Sequence, residues 1–258
     1  MTPKRAVLVT RPSGQAADLC DALSSRGYKA FSQPLLELRG LPELSPEAQG
    51  YINQLDNYQH LIFISGNAVR FGMDKIQAQW PQLPDGIKVY AIGDSTAAML
   101  AEYGVEAISA GPAMTSESLL SLPQLEAVGG QNVLIVKGLG GRSALRETLS
   151  KRGALVDELA CYQRLCPVLA PGELAKKLSN WKIDLILISS GEGLCNLLTL
   201  LSPAETINLY TVSVIVPSRR VARMAEDAGF TRVYTAENAS NAAMLDMVEK
   251  NSSTSESK

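Results

Sequence analysis

VLIVKGLGGRSALRETLSKRG, residues 133–153, passes from a β-branched apolar run through a glycine cluster into a helical pattern. Leu145 and Leu149 lie four apart, and the segment closes on Gly153 after a basic residue, as helix ends often do. A strand feeding a helix through a tight turn is the βα unit of a parallel sheet. The pattern occurs twice. Laid without a gap, VLVTRPSGQAADLCDALSSRG, residues 7–27, falls on it with Arg11 over Lys137, Gly14 over Gly140 and Arg26-Gly27 over Arg152-Gly153. At nearly the same offset, LIFIS ending at Ser65 meets LILIS ending at Ser189, and KVYAIGDSTAAMLAEYG falls near VSVIVPSRRVARMAEDAG. Several stretches agreeing at one near-constant offset point to duplication, so the chain is read as two similar α/β halves.

Further short apolar runs (VEAIS, ALVDELACY and TRVYTA) alternate with helical segments, completing two parallel sheets. The segments FSQPLLELRGLP and CYQRLCPVLAPG occupy matching places after the second strand of each repeat, and both run extended past a proline. They read as two linker strands crossing between domains. On that reading the first domain is discontinuous, residues 1–36 with 167–258; the second, 37–166, is inserted; and the polar tail from about 250 is disordered.

Composition narrows the function. With 258 residues, 46% hydrophobic, 19% charged and a net charge of -2, the chain is that of an ordinary globular protein, not one built to coat a polyanion. No apolar run approaches the roughly 20 residues that cross a bilayer, and MTPKRAVLVTRPSG lacks the apolar core of a signal peptide. A cytoplasmic protein without nucleic-acid or membrane partners is expected. The four cysteines form no CxxC pair and are read as reduced, mostly buried thiols; no metal site is expected. Triad chemistry would have to run through the single histidine, His60, which precedes a strand and is read as solvated at the edge away from any ligand.

The glycine loops suggest an anion site. Gly138 and Gly140, with Asp157 or Glu158 about 20 residues on, only partly fit the dinucleotide fingerprint, because Ser143 holds its third glycine position. Both repeats share something simpler: a cation at the strand end (Arg11 or Lys137), a glycine turn and a helix start, which offers backbone N–H groups and positive dipole to phosphate or carboxylate alike. Ser65-Gly66-Asn67, Ser95-Thr96, Ser189-Ser190-Gly191 and Ser218-Arg219 place short polar groups at other strand-to-helix turns. Singly they read as N-caps, and together as two crescents of donors suited to a ligand with many negative groups.

The order and spacing of VLVTRP, Ser65-Gly66-Asn67-Ala68-Val69, AIGDSTAAML, VLIVKGLGGRSAL, RGALVDELACYQR, PSRRVARMAEDAGF and ENAS resemble the uroporphyrinogen-III synthase family across the chain to about residue 249. The resemblance implies two flavodoxin-like domains on a two-strand linker. It also implies a reaction without metal or organic cofactor, in which linear hydroxymethylbilane loses water and closes to uroporphyrinogen III with its last ring inverted through a spiro intermediate. That substrate carries eight carboxylates on four pyrroles. Tyr162 matches the family's implicated tyrosine and is the one catalytic candidate, as a weak proton donor or orienting hydrogen bond, with an amphipathic packing role as its alternative. Arg11, Lys137 and Arg142 are expected to hold carboxylates; Lys137 stands where arginine is frequent and Ile64 where threonine is. A monomer, in transient contact with the preceding pathway enzyme, is expected. Two rivals remain: a two-lobed binding protein without turnover, and a nucleotide-dependent enzyme using Gly138 and Gly140.

Overall fold

The computed structural model describes residues 5–112, 114–141 and 143–255. The chain runs through β1 (Ala6–Val9), α1 (Ala17–Ser25), β2 (Lys29–Ser32), β3 (Glu37–Gly40), α2 (Pro46–Asn53), β4 (His60–Phe63), α3 (Gly66–Gln79), β5 (Lys88–Ala91), α4 (Asp94–Glu102) and β6 (Ile108–Ser109). It continues through α5 (Ser116–Leu120), β7 (Asn132–Gly138), α6 (Ala144–Lys151), β8 (Leu155–Leu165), α7 (Glu173–Asn180), β9 (Leu185–Leu187) and α8 (Gly191–Thr199). Last come α9 (Pro203–Ile207), β10 (Ser213–Val216), α10 (Arg219–Asp227), β11 (Val233–Thr235) and α11 (Asn241–Ser255). Two compact units result, Met1–Leu38 with Leu165–Lys258, and Arg39–Arg164. The chain passes from one to the other within β3 and at the end of β8, and these two strands are neighbours in the second unit's sheet.

In the first unit, β1 pairs with β2 and β9, β9 with β10 and β10 with β11, all parallel, giving the order β2-β1-β9-β10-β11. The second unit's parallel strands follow β8-β7-β4-β5-β6, with β3 outside β8. Counted from the strand that opens each repeat, both orders are 2-1-3-4-5, the flavodoxin-like arrangement. The second unit is therefore a circular permutation of the first, entered by the chain at its third strand. Fully buried Val, Leu and Ile fill the central strands, as a sheet covered by helices on both faces requires. Leu8, Ile186, Val214 and Val216 serve one face of the first sheet, and Val7, Val9, Leu185, Leu187 and Ile215 the other, beneath α1 and α11.

The tail expected to lose order from about 250 is instead helical to Ser255. Asn251 is buried and accepts a hydrogen bond from the Arg5 guanidinium, which also donates to the Asp184 carboxylate and backbone carbonyl and to Ser213. Tyr28 Oη donates to Ser252 Oγ at 2.9 Å. Such long-range partners are invisible to composition. Of the cysteines, only Cys161 is buried; Cys20 and Cys166 are half-buried and Cys195 is exposed, correcting the expectation of mostly buried thiols. Burial pushes the Cys161 thiol up to about 12, which keeps it protonated.

His60 does enter β4 at the amino-terminal edge, but it is 2% exposed, not solvated. Its Nδ1 lies 3.0 Å from the Tyr90 hydroxyl, and Nε2 meets Gln131 Oε1, which requires a proton on Nε2 and leaves Nδ1 to accept. Desolvation lowers its pKa, and the charge of Lys88 adds to that effect. The unfolded histidine titrates near pH 6.5 and so binds the proton more readily. Its stabilising contribution is complete above about 6.5 and is lost as pH falls toward the folded value. Thermal melts should accordingly show a midpoint declining from pH 7.5 to 5.5, with a shallower decline in His60→Asn; equal slopes would place the titration elsewhere.

Candidate active site

In a doubly wound sheet, connections from the first and third strands leave in opposite directions and open a crevice beyond their carboxyl ends. Those strands are β1 and β9 in the first unit, and β7 and β4 in the second. The segments at the two switch points are residues 11–16 with 188–190, and residues 139–141 and 143 with 64–65. Gly14 and Gly140 occupy equivalent places and both have positive φ, +77° and +73°. The shared turn needs the left-handed region that glycine enters without strain.

Helices at these edges begin in two ways. Ser65, Ser190 and Ser218 cap α3, α8 and α10 by accepting from the backbone N–H three residues on, at 3.0, 3.0 and 3.4 Å. No side chain caps α1, α4 or α6, which start after Ala16, Gly93 and Ser143. The Ser143 hydroxyl donates instead to Glu147. The first amides of these three helices thus point past the strand ends without a side-chain acceptor. Helix α10 adds a conflict of its own: Arg219 and Arg220 occupy its first turn, which contains no acid, so positive charge sits at the positive end of the dipole. An anion bound there would relieve that conflict.

Buried side-chain polar atoms without a partner concentrate at the same edges. Among the described residues they are Arg11 Nε, Ser189 Oγ, Asn241 Oδ1 and Thr96 Oγ1. The first three follow β1, β9 and β11 in one sheet, and the fourth lies in the first turn of α4, after β5. Arg11 also donates through Nη2 to the Ala239 carbonyl, fixing its guanidinium over the approach to α11, and burial lowers its pKa without threatening its charge.

The remaining expected residues are placed as follows. Tyr162, on β8, is 3% exposed, its ring stacked on Phe71 with centroids 5.3 Å apart and its hydroxyl 3.3 Å from Ser65 Oγ. Gly138 is explained by that ring, since a Cβ there would lie 2.7 Å from Tyr162 Cζ. Gly140 is exposed at the turn, Asn67 half-buried in the first turn of α3 and Arg219 exposed. Arg142 lies outside the described residues. Lys137 departs from expectation: it is 7% exposed and its Nζ pairs with Glu158 Oε1 at 2.8 Å, with Arg146 3.9 Å from the other oxygen. Glu158 faces Ile135, two positions from Ala160, the partner of Lys137, so the strand pairing itself brings the two side chains together and commits the ammonium.

Register also corrects the repeat by one residue. Val7 pairs with Leu185 and Val133 with His60, so Ser65 corresponds to Ser190, while Ser189 corresponds to Ile64. By the same frame Gly93 corresponds to Ser218; Ser95 and Thr96 therefore fall inside α4, Ser95 exposed and Thr96 fully buried. Two concave surfaces lie at the opposite edge. One, of about 520 Å³, is lined by Trp80, Pro84, Val89 and Tyr103, and the other, of about 330 Å³, by Leu178, Ile183, Leu201 and Val212. The unpartnered donors and the switch points lie instead at the carboxyl edges.

Comparison with known proteins agrees with the sequence resemblance. The family model for "Uroporphyrinogen-III synthase HemD" matches residues 17–246. The chain belongs to the uroporphyrinogen-III synthase family. It is 32% identical over 244 residues to the uroporphyrinogen-III synthase of Escherichia coli strain K12, covering 93% of this chain and 98% of that one. With the Proteus mirabilis enzyme identity is 36% over 182 residues, 69% of this chain and 89% of the relative. A mutant uroporphyrinogen III synthase from the extremely thermophilic bacterium Thermus thermophilus shares the fold at a TM-score of 0.64, with 18% identity over 98% of this chain and 100% of that one. The activity is therefore that of a hydroxymethylbilane-cyclising lyase of tetrapyrrole synthesis, acting on a small molecule.

Within this uroporphyrinogen-III synthase fold, sequence reading missed Asn241, Gly93 and Phe71. Correct framing of Gly93 against Ser218 would have located the uncapped helix, but nothing in the sequence distinguishes the other two. The Lys137–Glu158 pair yields a prediction. Lys137→Met alone leaves the half-buried Glu158 carboxylate with Arg146 at 3.9 Å in place of its close ion pair and should cost about 1–3 kcal/mol in denaturant unfolding. Lys137→Met with Glu158→Leu should recover most of that, with KM unchanged in the double variant. A KM rise that persists in the double variant would return Lys137 to the substrate.

Proposed function

We propose that the carboxyl edge of each sheet binds carboxylates of hydroxymethylbilane, in the first unit through the amides that open α1 and the side chains of Arg11, Ser189, Asn241 and Arg219, and in the second through the amides that open α4 and α6. Among the described residues the unpartnered buried polar atoms lie at these edges, three of them in the first unit, and this carries the reading. Each would otherwise be a cost with no return, since an unmatched buried polar group costs about 1–3 kcal/mol. Ser65, Ser190 and Ser218 keep their helix starts rigid, and their hydroxyls, already accepting from amides, can still donate to a carboxylate. Asn67 and the turn at Gly140 supply further contacts in the second unit.

The chemistry rests on the Ser65–Tyr162 hydroxyl pair. Ser65 Oγ accepts from Ala68 N–H, so one hydroxyl of the pair donates to the other and the second retains a free proton. That proton goes to the hydroxymethyl oxygen as its C–O bond breaks; the bonding electrons leave with oxygen, water departs, and an azafulvene cation remains beside the deprotonated pair, which regains a proton when the newly bonded pyrrole loses one. Ring closure then depends on which pyrrole carbon is held against that cation. Orientation of this kind is worth effective molarities on the order of 10⁵ M or more, enough to outrun unguided closure to the unrotated isomer. Neither step demands a strong acid, which suits phenol and alcohol groups.

One copy carries both sets of donors, so a monomer suffices, and the four free thiols suit the reducing cytoplasm. A labile substrate favours transient contact with the enzyme that makes it. Fresh hydroxymethylbilane, followed by oxidation and chromatography, should give uroporphyrin III, whereas isomer I alone would overturn the reaction. Arg11→Leu should raise KM by about 10–150-fold, as loss of a charge-assisted hydrogen bond of about 1.5–3 kcal/mol requires, with kcat little changed. An unaltered KM would remove Arg11 from the site.

A further inference from the structure

The Tyr162 ring is held by groups that no sequence motif marks. On β8, Ala160 pairs with Lys137 and Tyr162 with Gly138, so Cys161 is an extra residue and the strand bulges there. Bulges re-aim the side chains that follow them. The Cys161 thiol is turned inward and donates to the Lys137 carbonyl at 3.3 Å, which anchors the bulge. Beyond it, the Tyr162 ring lies directly on Gly138: a Cβ at that position would be 2.7, 2.9 and 3.1 Å from Cζ, Cε2 and Cε1, the hydroxyl-bearing end of the ring. The ring also stacks on Phe71 of α3, at 25° between planes. Phe71 in turn sits against Gly40 of β3, where a Cβ would be 3.1 Å from its ring, and beneath the Arg70 guanidinium, 5.5 Å from its centroid. Two glycines thus bracket two stacked rings.

We infer that Phe71 and Gly138 are positioning residues for the reaction: they clamp the Tyr162 ring so that its hydroxyl stands over Ser65 Oγ. This rests on the proposed role of the Ser65–Tyr162 pair. Packing alone would not require glycine, because Gly138 has an ordinary extended backbone that alanine can adopt. A methyl at residue 138 must push the phenol end aside by about 1 Å to restore the roughly 3.5–4.0 Å spacing of carbon atoms. A misplacement of that size can cost on the order of 100-fold in rate.

The test compares Gly138→Ala, Phe71→Leu, Phe71→Tyr and Tyr162→Phe in the full-length protein, measuring kcat, KM and the ratio of isomer III to isomer I, with thermal melts to identify variants that unfold. Gly138→Ala and Phe71→Leu should lower kcat by about 10–100-fold and raise the fraction of isomer I at nearly constant KM, and Phe71→Tyr, which keeps a stacking ring, should restore both. Gly138→Ala combined with Tyr162→Phe should lose no more than Tyr162→Phe alone. If Tyr162→Phe is impaired while Gly138→Ala and Phe71→Leu stay at wild-type kcat and isomer ratio, the clamp is refuted and the hydroxyl pair survives. Wild-type behaviour of Tyr162→Phe would refute both. Should Phe71→Leu fail to fold, Gly138→Ala and its double variant decide the matter.

Discussion

An α-helix begins with backbone N–H groups that have no acceptor within the helix, and in this chain α1, α4 and α6 begin without a side chain to supply one. Parallel sheets gather such helix starts along one edge. The flavodoxin-like strand order then opens a crevice among them where the connections diverge. Amide dipoles gather at that edge in each unit, and in the first unit Arg11, Ser189 and Asn241 follow β1, β9 and β11 there. On the proposed reading, a substrate bearing many carboxylates supplies what that edge lacks.

The two units reach this arrangement by different routes through the same plan. Strand order is identical once the permutation is allowed for, and Gly14 and Gly140 adopt the same left-handed turn. The chemistry has diverged on that common base. Arg11 ends in a partly buried environment with an unmatched nitrogen, whereas Lys137, its counterpart, is spent on Glu158. Tyr162 follows the bulge at Cys161 and brings its hydroxyl to 3.3 Å from Ser65 Oγ. The first unit keeps the arginine with its unmatched nitrogen, and the second carries the hydroxyl pair.

Periodicity made the βα units legible, because buried parallel strands must be apolar runs and their helices must carry an apolar stripe. It also made the repeat legible, but only to within one residue: Ser65 matches Ser190 and not Ser189, a slip that only hydrogen-bonded register resolves. The fate of individual side chains was less accessible. Lys137 is neutralised by a residue on the neighbouring strand, His60 is buried by Tyr90 and Gln131, and Asn251 is held by Arg5 from the opposite end of the chain. Each depends on partners distant in sequence. The caps at Ser65, Ser190 and Ser218 were legible, since capping is a local interaction.

The central claim is that the substrate's acidic rim meets the carboxyl edges of the sheets and not the concavities around Trp80 or Leu201. Amide chemical-shift mapping of the isotopically labelled protein, titrated with uroporphyrin, tests it directly. The largest shifts should fall on residues 11–16, 64–68, 93–96, 138–143 and 188–193, with little change near Trp80, Tyr103, Leu201 and Val212. Shifts concentrated on those last residues, with the turns at Gly14 and Gly140 unmoved, would contradict the account.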